Sequence, residues 1–534
     1  MKTQFVSHRP LVMGNDWMIV AGHPLASQAG AAILQEGGTA VDAAIAANAV
    51  LGVVRPHMNG LGGDLFALVY MAQTGQLKAL NASGRSPYRA SCETYTEMGL
   101  DRIPPKGVLS ATVPGVVDGW AELIRKYGCM DLDRLLRRAI DLAEIGFPVY
   151  RELTWFIEKW AETLKRSAAA EKVFFSRGRA PVPGERLVQS DLAKSLKKIA
   201  ETGRDVFYRG ELGETLIDFS NESGGLFSIE DMADHRSTWH DPIQTDYRGY
   251  TLCTHPPNSQ GIAWPMIANI VENCDLAGAG HNTADYVHQI VEATKLAFAD
   301  RDRYVCDPEF HHVPVERMLE KDYARKQFIR LSKEAAATPI EPTDFSSSGE
   351  DTVYLAVVDQ HGNAVSLIQS LYEPFGSGTM IDGTGILLHN RGRDFRLDTR
   401  HINCLEPHKR PYHTLTPAMI LKGEHPFAVL GSPGADGQTQ TLMQVTCNLI
   451  EFGADPQEAV EAARWRYNPD NSISIEDRFP GETINGLKAK GHQLNIRSDW
   501  DAVCGGAQVI LIDRENHALF AGADPRRQGY AIGH

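Results

Sequence analysis

The chain has 534 residues, 43% of them hydrophobic and 22% charged, the usage of an ordinary globular protein. That composition excludes a mainly disordered chain, a fibre and a disulfide-held miniature fold, and the length allows about three or four domains or one large core. The formal net charge of −14 argues against a broad nucleic-acid-binding face, because an acidic surface repels phosphates.

The eight cysteines stand singly, with no CxxC pair and no Cys/His cluster at zinc spacing, the pattern of reduced, packed thiols. The segment Met1–Gly22 holds no apolar run followed by a small-residue cleavage site. No uninterrupted apolar stretch approaches the ~18 residues of a membrane span. The expectation is a soluble cytoplasmic protein with neither membrane nor nucleic acid as partner.

Along the chain, Leu25–Glu36 reads as a helix stopped by Gly37 and Gly38. Thr39 predicts an N-cap, with Asp42 three residues on as the answering carboxylate of a capping box. The next helix, Val41–Leu51, is apolar all round and so expected to be buried. The glycine run Asn59–Asp64 follows a helix rather than a strand and lacks GxGxxG spacing. It predicts a tight turn against the core, not a nucleotide site. Phe66–Met71 and Leu77–Asn81 read as a hairpin. From about Pro114 to Asp300 the pattern is mainly helical, with Val287, Ile290, Val291, Thr294, Ala297 and Phe298 marking one helix face. Tyr247–Thr254 predicts a single strand, ahead of a loop from Pro256 to Gly261.

Ser332–Asp351 contains two prolines and four serines with no apolar period, the composition of a solvated linker. It ends at Thr352, which opens a hairpin: Val353–Val358, a turn at Asp359–Asn363, then Ala364–Ser370. Further on, a short strand Phe427–Leu430 runs into the glycine-rich turn Gly431–Gly437 and a helix from about Gln438 to Phe452. Such a junction presents N–H donors and a positive dipole end to an anion.

Three hydrolytic chemistries can be weighed against these residues. No serine satisfies GxSxG, which argues against a nucleophile-elbow hydrolase. No HExxH occurs, and the adjacent His311 and His312 point apart, so no metal hydrolase is indicated. The third chemistry is an N-terminal nucleophile. A threonine hydroxyl is weak unless a base sits beside it, and a free α-amino group with a pKa of about 7.7–8.0 supplies one at neutral pH. The chain must then be cut just before the threonine. A linker running into the strand-initial Thr352 provides for such a cut, although many threonines open strands after loops.

Three segments together resemble the γ-glutamyltranspeptidase (glutathione hydrolase) family. They are HPLASQAGAAILQEGGTAVDAAIAANAVLGVVRPHMNGLGGD at 23–64, TVYLAVVDQHGNAVSLIQSLYEPFGSGTMIDGTGILLHNRGRDF at 352–395, and KRPYHTLTPAMI at 409–420 with GSPGADG at 431–437. Matches at 113–120, 297–308 and 524–529 support them, in the family's order along nearly the whole chain. The resemblance implies an N-terminal-nucleophile hydrolase with a four-layer αββα sandwich of α/β (α+β) class. It implies a proenzyme that cuts itself between Asp351 and Thr352. The products would be a large subunit, 1–351 with its linker 332–351, and a small subunit, 352–534, sharing one core. By motif position Thr352 is the nucleophile, Ser370 the second hydroxyl near it, and Gly434 and Ala435 the oxyanion-hole pair. The family usually has two glycines there; alanine serves if its φ/ψ is permitted. The resemblance implies no metal and no organic cofactor.

The departures from the family pattern fall at one pocket. The arginine that holds the substrate α-carboxylate aligns with Ser83, and Arg85 sits two residues later. The substrate-contacting asparagine and glutamine correspond to Tyr372 and Arg391, and the paired serines to His413 and Thr414. The carboxylate that receives the α-amino group persists as Asp394. Each has a plain structural alternative: Arg85 paired with a surface carboxylate, Arg391 and Asp394 neutralising one another, Tyr372 a core aromatic, His413 a satisfied structural histidine. The expected activity is amide hydrolysis on a small carboxylate-bearing substrate such as oxamate. The alternatives are a γ-glutamyl transferase or glutathione hydrolase, a glutaryl- or cephalosporin-type acylase, and an uncleaved relative that only binds a small acid. Association of several copies is left open.

Overall fold

The computed structural model describes residues 5–337 and 351–534. The expected helix–cap–helix at the start is present as Pro24–Gln35 and Ala40–Val54. The Thr39 side chain accepts from Asp42 N, and Asp42 answers the Thr39 N–H, closing the capping box. The second helix is buried along almost its whole length, as its uninterrupted apolar sequence requires.

Two seven-stranded antiparallel sheets form the centre. In the first, the spatial order is Tyr530–Gly533, Met18–Ala21, Asp351–Val358, Ala364–Tyr372, Asp64–Met71, Gln76–Ala82 and Thr238–His240. In the second it is Val12–Gly14, Ala518–Ala523, Gln508–Asp513, His425–Gly431, Ala418–Lys422, Tyr250–Thr254 and Ile243–Tyr247. Each sheet takes strands from both sides of position 351.

The layering follows from strand alternation. Met18, Val20, Phe66, Leu68, Tyr354 and Ala356 point between the sheets, against Met419, Val429 and Ile510 of the second. Their odd neighbours, Ile19, Leu65, Ala67, Val353 and Leu355, face the helices Pro24–Gln35 and Ala40–Val54. On the far side, Leu252, Ile420, Ala428 and Leu430 face the helices Ala263–Val271, Ala284–Tyr304 and Gly437–Ile450. The result is the αββα sandwich. The sheets approach closely at Gly431, where an added Cβ would lie 2.1 Å from the Tyr354 ring, so no side chain fits there.

One expectation is corrected. Tyr247–Thr254 is not one strand but a tight hairpin, Ile243–Tyr247 and Tyr250–Thr254, because Arg248 and Gly249 take φ of 51° and 84° and reverse the chain. The linker expected at Ser332–Asp351 lies mainly outside the described residues. Its described part, 332–337, is exposed apart from the half-buried Ala336, and two backbone bonds tie it down: Ala336 N donates to Lys490 O at 2.7 Å and Ala337 N to Glu292 Oε2 at 2.9 Å. Among the described residues, no helix is long and apolar enough to cross a membrane.

Candidate active site

Thr352 lies at the start of the strand Asp351–Val358 and has the alternation of Tyr354, so it faces the space between the sheets. Ser370, at the end of Ala364–Tyr372, has the same facing as Ile368. The ladder is irregular here: Asp351 pairs with Tyr372 but Val353 with Gln369. Thr352 Oγ1 donates to Ser370 Oγ at 3.2 Å, and both residues are buried. Ser370 Oγ also accepts from Tyr372 N at 2.7 Å. Its backbone is fixed from the other side by the expected glycine turn, since a Cβ at Gly63 would come within 2.6 Å of Ser370 O.

Tyr372 has φ of 81°, a region that costs a bulky residue of order 1–3 kcal/mol. That conformation sends its ring under Arg391, whose Cζ lies 3.7 Å from the ring centroid. The Tyr372 hydroxyl donates to Asp394 Oδ1 at 2.6 Å. Arg391 and Asp394 begin and end one turn of 3₁₀ helix, where residues three apart eclipse. Arg391 Nη1 therefore reaches Asp394 Oδ2 at 3.2 Å. Among the described residues, the buried Arg391 Nη2 has no hydrogen-bond partner, and neither has Thr414 Oγ1. Burial pushes the Asp394 carboxyl above its usual range, against the pull of Arg391 and Tyr372 and with the Asp436 carboxylate adding to the rise. Burial, then Asp394, pushes the Tyr372 hydroxyl up.

His413 is fully engaged. Its Nδ1 accepts from Leu415 N at 3.3 Å, so its Nε2 carries the proton donated to Asp64 Oδ2 at 3.1 Å. Burial, then the Arg391 charge, lowers its pKa to about 3. Asp64 sits opposite Ser370 in the ladder and also accepts from Gly84 N at 3.0 Å. Burial opposes its charge, but His389 and His413 hold the carboxyl below the usual range. Arg85 is drawn elsewhere, to Glu309 at 2.6 Å, Asp307 at 3.5 Å and the His408 carbonyl at 3.1 Å. Ser83, at the family's arginine position, is buried and donates to Asn81 Oδ1 at 2.7 Å.

The turn after His425–Gly431 refines the expected anion site. The first donors of the helix Gly437–Ile450 are already used: Gly437 N donates to Gly434 O at 2.7 Å and Gln438 N to Ala435 O at 3.1 Å. Among the described residues, the N–H groups of Gly434 and Ala435 donate to no protein acceptor. Ala435 holds φ of 46° and Gly434 134°. For alanine the left-handed region costs roughly 1–2 kcal/mol.

Gln260, which opens the 3₁₀ turn Gln260–Ile262, restrains this conformation. Gln260 Nε2 donates to Ala435 O and to Thr414 O, both at 2.8 Å. Its Oε1 accepts from Arg301 Nη1 at 3.0 Å and Tyr412 hydroxyl at 3.1 Å, which fills all four positions of a buried amide. Arg301 Nη1 also lies 3.4 Å from Asp436 Oδ1. In the sequence Gln260 carries no signal beyond an amide in a Pro/Gly-bounded segment expected to be a loop.

These groups offer two hydrogen-bonded hydroxyls, two unused N–H donors and a guanidinium beside a carboxylate. The family model for gamma-glutamyltranspeptidase matches residues 26–534. The chain is 43% identical to the glutathione hydrolase-like YwrD proenzyme of Bacillus subtilis, over 98% of this chain and 99% of that one. It is 37% identical to the oxamate amidohydrolase proenzyme of Klebsiella pneumoniae, over 97% and 98%. The crystal structure of cephalosporin acylase from Bacillus halodurans superposes with a TM-score of 0.93 at 38% identity, covering 100% of this chain and 98% of that one. The chain belongs to the γ-glutamyltranspeptidase family of N-terminal-nucleophile hydrolases.

Proposed function

We propose that the protein cuts itself between Asp351 and Thr352 and then hydrolyses a small amide that carries a carboxylate. In the cut, Thr352 Oγ attacks the Asp351 carbonyl, the C–N bond breaks, and water hydrolyses the ester that remains. The freed α-amine of Thr352 then serves as base. In turnover it takes the proton from Thr352 Oγ as the oxygen attacks the substrate carbonyl. The N–H groups of Gly434 and Ala435 stabilise the tetrahedral oxyanion. The α-ammonium returns its proton to the leaving amine, and water, deprotonated by the same amine, releases the acid. Ser370 orients the hydroxyl of Thr352 through their hydrogen bond.

The observation that carries the substrate class is the buried guanidinium of Arg391, with one arm on Asp394 and Nη2 unpartnered among the described residues. A carboxylate satisfies that arm. Tyr372 and His413, bulkier than the asparagine and serine at these family positions, shorten the pocket, and Thr414 Oγ1 offers a further polar group. Similarity to the oxamate amidohydrolase proenzyme supports this reading. Similarity to the cephalosporin acylase favours a second one, deacylation of a larger amide. A hydrolysis panel of oxamate, glutamine, glutathione and glutaryl amides separates them. Preference for oxamate supports the small-acid reading, and efficient turnover of glutathione overturns it. A stable uncut chain by mass spectrometry would instead indicate a binding protein.

A further inference from the structure

Away from the nucleophile, the helix Ala284–Tyr304 sets His288 and Glu292 four residues apart, and so on one face. His492, just beyond the helix Gly481–Ala489, meets them there. His288 Nδ1 and His492 Nε2 are 2.8 Å apart. One donor atom from each of His288, Glu292 and His492 lies within 4.8 Å of the others. All three residues are buried.

The surrounding bonds aim these atoms inward. His288 Nε2–H donates to the Ser332 carbonyl at 2.7 Å, so the lone pair of its Nδ1 faces His492. Glu292 Oε2 accepts from Ala337 N at 2.9 Å. Metal-binding imidazoles and carboxylates carry outer hydrogen bonds of this kind, which fix the tautomer and the ligand's direction.

The geometry points to a binding site for a divalent transition metal, Zn²⁺ by its ligand set, formed by His288 Nδ1, His492 Nε2 and Glu292. Two imidazoles and one carboxylate suit tetrahedral Zn²⁺ with water in the fourth position, and the nitrogen donors select against Mg²⁺ and Ca²⁺. Binding requires His492 to move its ring proton from Nε2 to Nδ1. It also requires the two nitrogens to part to about 3.4 Å, the span set by Zn–N bonds of roughly 2.0–2.1 Å. The resident cation is Lys295, whose buried ammonium lies 2.7 Å from Glu292 Oε1. A metal ion must displace that ammonium, so Lys295 is the internal competitor. If the cut before Thr352 occurs, the site joins the two products, with His492 on one and His288 and Glu292 on the other.

The test uses the full-length protein, stripped with a chelator and desalted, and titrated with Zn²⁺ by calorimetry and with Co²⁺ by visible absorption. One ion per chain, tetrahedral Co²⁺ bands and a raised Tm are expected. His492→Gln keeps a donor toward His288 Nδ1, and Glu292→Gln keeps the side-chain volume. Each should abolish the bands and weaken Zn²⁺ by more than about tenfold, with metal-free Tm checking that the variant folds. Lys295→Met should bind Zn²⁺ more tightly. Saturating Co²⁺ without tetrahedral bands overturns the site. So does binding that survives His492→Gln combined with Glu292→Gln, which would move the ion elsewhere, for example to His311, Cys404 and Glu406. Weaker binding by Lys295→Met also overturns it.

Discussion

The guanidinium of Arg391 lies against the ring of Tyr372, Cζ to centroid 3.7 Å, while both side chains bind the same carboxylate, Asp394. Two of the departures from the family pattern are thus one physical unit. The ring supports the guanidinium, and Asp394 orients one edge of it. In the proposed reaction the remaining edge grips the substrate. Arg391→Ala should lower kcat/KM by roughly 30- to 1,000-fold, about 2–4 kcal/mol, while leaving self-cleavage intact. Unchanged kinetics on the best substrate would remove Arg391 from the pocket.

Thr352→Ala should give one intact, inactive chain by mass spectrometry, because the same hydroxyl is assigned to the cut and to turnover. Thr352→Ser should still cut, more slowly. Normal maturation of the alanine variant would show that the nucleophile lies elsewhere.

Gln260 touches no reacting atom in this scheme, yet it ties the Ala435 carbonyl to Thr414 and Arg301. Gln260→Glu keeps the size and the acceptor but turns an oxygen toward two carbonyls. It should lower kcat by about tenfold or more with a smaller change in KM, since the loss of one oxyanion donor costs about 10²–10³. A purely structural role predicts a lower Tm with kcat unchanged in the surviving folded fraction, so kcat per folded molecule and Tm are read together.

His413 gives a pH prediction. Its folded pKa is lowered to about 3, chiefly by burial, then by Arg391, against the pull of Asp64. The unfolded chain, near 6.5, binds the extra proton first, so stability is full above about 6.5 and falls as pH drops toward the folded value. Between pH 7 and pH 5 this one group should cost about 2 kcal/mol. Urea unfolding of His413→Gln against wild type should show a shallower pH slope over that window. Parallel slopes would refute the buried neutral imidazole.

The one-dimensional pattern determined what depends on near neighbours. Thr39 and Asp42 lie three residues apart, so their capping box is local. The apolar run of Ala40–Val54 required burial wherever it landed. The threonine after the linker, the hairpin it opens and the turn at 431–437 were likewise readable, because strand, turn and helix signals act over a few residues. The hairpin at Arg248–Gly249 was missed because its turn lacks the usual Asn-Gly or Asp-Gly signal and its first strand, Ile243–Tyr247, carries Gln244 and Asp246 and gives little apolar signal. What only the tertiary structure decided involves groups far apart in the chain. Arg85 meets Asp307 and Glu309, so an arginine that looked available for substrate is engaged by carboxylates more than 200 positions away. Gln260 reaches Ala435 across 175 positions, and Asp64 reaches His413 across 349. No periodicity encodes such pairs. They exist because two sheets stack face to face and bring loop ends from distant segments to one edge of the gap, where buried polar groups must find partners or be left for a ligand.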